Sequence, residues 1–364
     1  MVHSELKDIF LSLVRLGIGH TDSTDLTDKV DWVALKALAD RHGLSAVVLD
    51  GLNTVQGERL MVQGSMPQML RLQWIGEVMQ SYEQRYVQYE KAIVSLTGWH
   101  NAHGYKMMVL KGYACSLDWP NPKHRPCGDI DIWLFGKQRE ADDMLSKEKG
   151  IKVDTSEHHH TVFCWQDFMV ENHYDFINVH HHKTHINQER VFKELGNDDT
   201  HFMDLCGERV YLPSANLHAL FLLKHNALHF STEILTLRQV LDWAFFVERH
   251  GKEVNWEWLD NKVDEFGMRP FYMLLNAICI EDLGFEVTRF PFIQFDSILK
   301  ARVLNDILCP EFTESVPNNV SARIIFKYRR WKANGWKHEL CFKESMWSAF
   351  WSGVWGHLMK PGMI

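Results

Sequence analysis

The chain has 364 residues, of which 46% are hydrophobic and 24% are charged, a balance that excludes long disordered segments and is typical of a soluble globular protein. Its net charge of −8 argues against a general nucleic-acid binder, which usually carries a strongly basic surface, but does not exclude a local basic groove. The seven cysteines are scattered without a CxxC pair, which indicates reduced thiols and a cytoplasmic location. We predict no membrane span, because no run of about 18 apolar residues is present.

The N-terminal part of the chain is predicted to be helical. Residues 31–52 have apolar side chains at helical spacing, and Asp31 is placed to cap that helix. A long amphipathic helix follows over residues 67–104, between a proline and a glycine. We therefore predict an N-terminal helical region, residues 1–104.

Short apolar runs replace the helical pattern from residue 105 onward, and they predict a small α/β core over residues 105–200. The predicted strands are residues 106–112, residues 129–135, and two strands within residues 161–177 that are joined by a turn at Gln166 and Asp167. Polar sequences that favour helices cover residues 137–149 and 187–195.

From about residue 213 the chain is again predicted to be helical, which gives a C-terminal helical region, residues 201–364. Arg238 and Asp242 are spaced i, i+4, and this spacing predicts an ion pair along one helix.

Aromatic side chains are concentrated near the end of the chain. Their spacing suits packing on the helical region or a stripe at a membrane surface, and the mixed charge around them favours packing. These residues are Trp347, Phe350, Trp351 and Trp355.

Two aspartates in the second predicted strand indicate chemistry. Asp129 and Asp131 share one face of the strand, because alternate residues of a strand point to the same side. Two neighbouring carboxylates repel each other, and burial adds to the cost, so a compensating cation is expected. Oxygen ligands of this kind suit Mg²⁺, with Mn²⁺ as the second choice. A solvated edge strand is the alternative interpretation.

Further residues are candidates for the same site. Lys111 and Gly112 end the first strand with a positive charge and a turn that can approach phosphates, and Arg125 adds charge nearby. A third carboxylate is expected from the last strand, where Glu171 and Asp175 share a face. Glu171 is the preferred candidate because it lies in the middle of its strand.

The segments VLKG at 109–112, HRPCGDIDIWL at 124–134 and VENHYDF at 170–176 resemble the nucleotidyltransferase superfamily with the polymerase-β-type core, above all its uncharacterised bacterial branch. The segments KHNALHF at 224–230 and LRQVLDW at 237–243 are similar to a helical part of that branch. The resemblance thus extends over about residues 105–245.

The resemblance implies an α+β fold, in which a small mixed β-sheet nucleotidyltransferase core is flanked by N- and C-terminal helical regions. It implies an Mg²⁺-dependent enzyme that moves a nucleoside monophosphate from an NTP to an acceptor, which is a small molecule, a protein or an RNA. The implied catalytic and metal-binding residues are Asp129, Asp131 and Glu171. The implied nucleotide-binding residues are Lys111, Gly112, Arg125 and Gly128.

Two alternatives remain open. Tyr113 stands where the wider superfamily has Gly or Ser to help hold phosphates, which favours an inactive nucleotide-binding or interaction protein with the same fold. A metal-dependent glycosyltransferase also uses an Asp-x-Asp pair, although it normally has a larger α/β domain.

Histidines form a last set of candidates. The runs at 158–160 and 180–185 suit a zinc site or, alternatively, polar loops. His225 and His229 lie one helical turn apart and either face the Asp pair or belong to the helical core.

Overall fold

The computed structural model describes residues 2–21, 30–59, 66–157, 159–179, 182, 184–198, 201–291, 294–314, 316–317, 319–348 and 351. Across these residues, no helix combines the length and the apolar character that crossing a membrane requires.

The N-terminal part is helical, as the sequence predicts. Its helices are α1 (Val2–Gly17), α2 (Trp32–His42), α3 (Ser45–Arg59), α4 (Gln68–Val78) and α5 (Arg85–Ala102). Asp31 caps α2, because its side chain accepts a hydrogen bond of 3.0 Å from the N–H of Ala34. Gly43 ends the same helix with a φ of 66°, a conformation that glycine adopts without strain. A short π-helical segment, Met79–Gln84, joins α4 to α5, so the long predicted helix is nearly continuous.

A mixed sheet follows, and it confirms the predicted α+β class. Its strands in the described residues are β1 (Met108–Val109), β2 (Ile130–Trp133), β3 (His160–Trp165), β4 (Phe168–His173), β5 (Phe202–Leu205) and β6 (Glu208–Tyr211). They are ordered β3-β4-β2-β1-β6-β5. The pairs β2–β4 and β1–β6 are parallel, and the other neighbours are antiparallel.

Helices also fill the connections of the sheet and the C-terminal part. Those between strands are α6 (Lys111–Ser116), α7 (Gln138–Lys149) and α8 (His185–Asp198). Those after the sheet are α9 (Ala215–Thr232), α10 (Leu237–His250), α11 (Trp256–Phe266), α12 (Arg269–Ala277), α13 (Ser297–Leu308), α14 (Val320–Ala333) and α15 (Gly335–Cys341).

The sheet differs from the prediction in two places. The strand predicted over residues 106–112 is limited to β1, because Lys111 already begins α6. The hairpin of β5 and β6 was not predicted and lies within the part of the chain assigned to the C-terminal helices. Its turn places Cys206 at a φ of 54° and Gly207 at a φ of 87°, and a cysteine in that conformation gives no recognisable hairpin signal.

The two faces of the sheet are covered by different cores. Ile130 and Ile132 of β2 pack with side chains of α5 and α7 on one face. Met108 and Trp133 pack on the other face, in a core that also contains side chains of α1, α2, α3, α9 and α10. The helices that precede the sheet and those that follow it therefore bury apolar side chains against each other.

His42 is one polar link between these two sets of helices. Its side chain is 1% exposed, and Nδ1 accepts a hydrogen bond of 3.2 Å from the N–H of Leu237 at the start of α10. Burial lowers the pKa of His42 from 6.5 to about 4. The imidazole is therefore neutral in the folded protein near pH 6, whereas the unfolded chain binds a proton there.

This difference predicts a loss of stability in acid. The folded-state pKa is the lower one, so the contribution of His42 is complete above pH 6.5 and is lost as the pH falls toward 4. When the pH falls from 8 to 5, we expect the titration of His42 to reduce the free energy of unfolding by about 2 kcal/mol. His42→Asn keeps an acceptor but does not titrate, so urea unfolding at both pH values should show a smaller pH dependence for this variant. An equal pH dependence of the two proteins would contradict this assignment.

Candidate functional site

Strand pairing brings two of the predicted carboxylates together. Asp131 of β2 and Glu171 of β4 are directly paired across the parallel strands, which lie about 4.8 Å apart in any sheet. The Asp131 side chain is 3% exposed and that of Glu171 is 18% exposed. Asp129 precedes β2, and its pKa is raised by burial and by the charge of Asp131. Asp131 and Glu171 thus form a pair on the central strands, and Asp129 lies close enough to interact with their charges. Among the described residues, the group whose ligand atoms lie within 4.8 Å of one another contains Asp131, Glu171 and His173 but not Asp129.

Asp131 is the electrostatic centre of this group. Lys111 Nζ lies 2.6 Å from Asp131 Oδ1, and His173 Nε2 donates a hydrogen bond of 3.0 Å to the same oxygen. Burial by itself raises the pKa of Asp131, but Lys111 and His173 outweigh burial and hold this pKa well below its usual range. Asp131 is therefore ionised at any physiological pH, as a metal-binding carboxylate must be.

Lys111 occupies an unusual backbone position. It is the first residue of α6 and has a φ of 29°, a region that side-chain-bearing residues rarely adopt. Burial by itself would lower the pKa of the Lys111 amine. The charges of Asp131 and Glu171 outweigh burial and raise this pKa above its ordinary value, so the amine is charged. The predicted phosphate contact is thus a partly buried ammonium group held against Asp131.

Packing explains the glycine and the tyrosine that follow Lys111. A Cβ on Gly112 would lie 2.6 Å from Tyr89 Oη, so only glycine lets α6 pack this close to α5. The Tyr89 hydroxyl donates a hydrogen bond of 2.8 Å to the carbonyl of Asp129. The ring of Tyr113 is buried on the face of the sheet that bears Ile130, and its hydroxyl donates to Glu90. Tyr113 thus packs in the core on the face opposite to Asp131.

Arg125 is engaged elsewhere in the fold. Its Nε and Nη2 donate hydrogen bonds of 2.7 and 2.9 Å to the two carboxylate oxygens of Asp242 in α10, and both side chains are buried. The predicted ion pair between Arg238 and Asp242 is therefore wrong: Asp242 faces Arg125, while Arg238 Nη1 donates to the carbonyl of Pro126. The role of Arg125 toward phosphate stays a prediction, as does that of Gly128, which is exposed just before Asp129.

Asp175 lies outside the group. It follows the end of β4 and forms an ion pair with Lys193 of α8. Of the two candidates for the third carboxylate, Glu171 is the one whose oxygen lies within 4.8 Å of ligand atoms of Asp131 and His173.

Histidines surround the carboxylates more closely than the sequence analysis indicated. His173 lies between Asp131 and Glu171, with its Nε2 3.6 Å from Glu171 Oε2. Burial alone lowers the pKa of His173, but its hydrogen bonds to Asp131 and Glu171 raise it. Strand alternation already placed His173 on the face of Glu171, so the signal was present in the sequence. His160 lies in β3 and not in a loop.

His225 of α9 lies close enough to this group to interact with the charges of Lys111 and Asp131. Its pKa is lowered well below the usual range by burial, by its neighbour His229 and by the charge of Lys111. His229 is turned further outward, where its Nδ1 lies 3.0 Å from the carboxylate of Glu233. Of the two readings of this histidine pair, His225 fits a position near the Asp pair.

The second histidine run and the aromatic tail lie only partly within the described residues. His182 stacks on Phe342 with ring centroids 4.3 Å apart, and His185 Nδ1 donates to the carbonyl of Asn178. Trp347 contacts the ring of Trp331 edge-on at 5.5 Å. Trp347 is nevertheless 62% exposed and Trp351 is 64% exposed, so these two residues are not buried against the helical region as predicted. His158, His180, His181, Phe350 and Trp355 lie outside the described residues.

The fold and the site together define an α+β protein with a buried carboxylate cluster on a mixed sheet. Residues 28–283 match the family model of an uncharacterised nucleotidyltransferase, and the chain belongs to that family. An antigenic nucleotidyltransferase-like protein of Paracoccidioides brasiliensis, known from a crystal structure, is 12% identical with a TM-score of 0.33. That similarity covers 54% of this chain and 93% of that chain. No curated protein matches the chain.

Proposed function

We propose that this protein is a Mg²⁺-dependent nucleotidyltransferase that moves a nucleoside monophosphate from an NTP to an acceptor and releases pyrophosphate. The observation that carries the proposal is the pairing of Asp131 with Glu171 on adjacent parallel strands, with Asp129 beside them. Family membership supports the reaction class. Mn²⁺ is an alternative to Mg²⁺ at the same oxygens.

The residues fit the ion because Mg²⁺ takes carboxylate oxygens and keeps places for water and phosphate. Asp129 and Asp131 would hold it, and Glu171 would complete a second metal position or accept the proton of the acceptor hydroxyl. When bound, the ion neutralises charge on the triphosphate. The acceptor oxygen forms a bond to the α-phosphorus while the bond from that phosphorus to pyrophosphate breaks.

Lys111 and Gly112 would bind the phosphates from the start of α6. Lys111 already provides a positive charge beside Asp131. The role of Gly112 is proposed from its place next to Lys111, since its lack of a side chain is already required for packing against Tyr89. Arg125 and Gly128, which lie in the loop before β2, are proposed to shape the nucleotide site from that side. The acceptor is unassigned, and the helices around the sheet would form its pocket.

The proposal is tested with the double variant Asp129→Asn and Asp131→Asn. We expect titration calorimetry with Mg²⁺ or Mn²⁺ to show binding by the wild type, and the double variant to lose both this binding and pyrophosphate release from NTPs. Asp167→Asn, in the exposed turn between β3 and β4, is the control and should behave like the wild type. Equal metal binding by the wild type and the double variant would overturn the metal site. Nucleotide binding without turnover would overturn the enzymatic function.

A variant of Lys111 separates its two proposed interactions. The ammonium group competes with a cation for Asp131 Oδ1, which lies 2.6 Å away. We therefore expect Lys111→Met to raise Mg²⁺ affinity on the order of tenfold while it weakens binding of a nonhydrolysable NTP. Calorimetry measures both, and Lys137→Met in an exposed pair with Glu140 is the control. Weaker Mg²⁺ binding by Lys111→Met would contradict the competition.

A further inference from the structure

The imidazoles beside the carboxylate group come from one hairpin. β3 and β4 are antiparallel, and their register pairs His160 directly with His173. His159 immediately precedes β3. The ring centroids are 5.2 Å apart for His160 and His173, 4.3 Å for His159 and His160, and 5.7 Å for His159 and His173. The hairpin thus gathers three imidazoles at one corner of the sheet.

Their nitrogen atoms are spaced like a set of metal ligands. One ring nitrogen from each histidine lies within 4.8 Å of the others, and His159 Nε2 is 3.1 Å from His160 Nδ1. A tetrahedral zinc ion binds its ligand atoms at about 2.0–2.1 Å, which places these atoms about 3.4 Å from one another. Small side-chain rotations would bring the three imidazole nitrogens to these distances.

A carboxylate lies next to two of these imidazoles. Glu171 Oε1 lies 3.9 Å from His160 Nε2, and Glu171 Oε2 lies 3.6 Å from His173 Nε2. His160 is 8% exposed and His173 is 1% exposed, so these two imidazoles are held by the sheet, whereas His159 is partly exposed just before β3. Glu171 lies outside the group of three histidines whose ligand atoms are all within 4.8 Å of one another. Its side chain would therefore turn toward the imidazoles to complete a set of three nitrogens and one carboxylate, which zinc accepts.

We propose that His159, His160 and His173, together with Glu171, form a binding site for a first-row transition-metal ion such as Zn²⁺. Imidazole nitrogen favours zinc and similar ions, whereas the Asp129 and Asp131 oxygens favour Mg²⁺. The two neighbouring sites would therefore select different ions, with Glu171 shared between them. This site does not depend on nucleotide transfer, so it stands or falls separately from the proposed function.

The test uses the full-length protein, treated with a chelator and then kept in excess Mg²⁺ without nucleotide. Co²⁺ is the probe, because tetrahedral coordination gives intense visible absorption bands. We expect one equivalent of Co²⁺ to produce these bands and Zn²⁺ to remove them by displacement. Absence of the bands in the presence of excess Mg²⁺ would overturn the proposal.

Variants identify the ligands. His160→Asn and His159→Gln are each expected to weaken Co²⁺ binding at least about 100-fold, since loss of an outer partner of a metal ligand alone typically costs 10- to 100-fold. His159 precedes the strand, so its variant tests the site even if His160→Asn fails to fold. Asp129→Asn, outside the nitrogen set, should retain the Co²⁺ bands while it weakens Mg²⁺ binding. Unchanged Co²⁺ affinity in a folded His159 or His160 variant would overturn the assignment.

Discussion

Replacing Glu171 with glutamine is expected to lower the rate of pyrophosphate release by about 10²- to 10⁴-fold, the usual contribution of a positioned acid or base. Glu171 is paired with Asp131 across the parallel strands, and glutamine keeps its size while it removes the charge. The rate should be measured at saturating NTP, with nucleotide binding measured separately by calorimetry. We expect the rate to fall much more than the affinity, because the side chain acts on the reaction and not on the triphosphate.

The matched control is Asp175→Asn. Asp175 belongs to the same chain segment and pairs with Lys193, but its side chain is not part of the carboxylate group. We expect this variant to retain the wild-type rate within about a factor of three. A larger loss for Asp175→Asn than for Glu171→Gln would show that the third carboxylate has been assigned to the wrong residue.

The second large effect concerns stability. Asp242→Ala is expected to lower the free energy of unfolding by about 3–5 kcal/mol, because it leaves the buried guanidinium of Arg125 without its counter-ion. The same change removes the acceptor of a 2.9 Å hydrogen bond from Trp119 Nε1. Urea unfolding followed by tryptophan fluorescence measures the difference.

An exposed ion pair on the neighbouring helix provides the comparison. Glu233 pairs with His229 at the end of α9, and its side chain is 60% exposed. Glu233→Ala should cost less than about 1 kcal/mol, as solvent-exposed pairs usually do. If the two alanine variants lost a similar free energy of unfolding, the buried Arg125–Asp242 pair would contribute no more to stability than an exposed ion pair.

Patterns within short segments predicted much of this architecture. Asp31 and Gly43 mark the ends of α2, since capping depends on residues within one turn. The alternation of Asp129, Ile130, Asp131 and Ile132 placed the two carboxylates on one side of β2, because a strand has a period of two. The nucleotidyltransferase resemblance, which the family match bears out, rested on the same segment.

Such local patterns could not predict contacts between distant segments of the chain. Arg125 and Asp242 are far apart in sequence, so the local spacing of Arg238 and Asp242 indicated the wrong partner. The strand predicted to include Lys111 ends earlier because a helix starts there at a positive φ. The cluster of His159, His160 and His173 depends on strand register, which single-strand patterns do not fix.

The pairing of β1 with β6 has a consequence for how this protein is made. Met108 is paired with Tyr211, so β1 leaves the ribosome long before its parallel partner exists. Until β6 emerges, the apolar segment around Met107–Leu110 has an unpaired backbone edge. Such edges can pair with other chains and cause aggregation. Closing so long a stretch of chain is also slow. We therefore expect the sheet to be completed late in biogenesis, and the nascent chain to be most prone to aggregation while residues 110–211 are being synthesised.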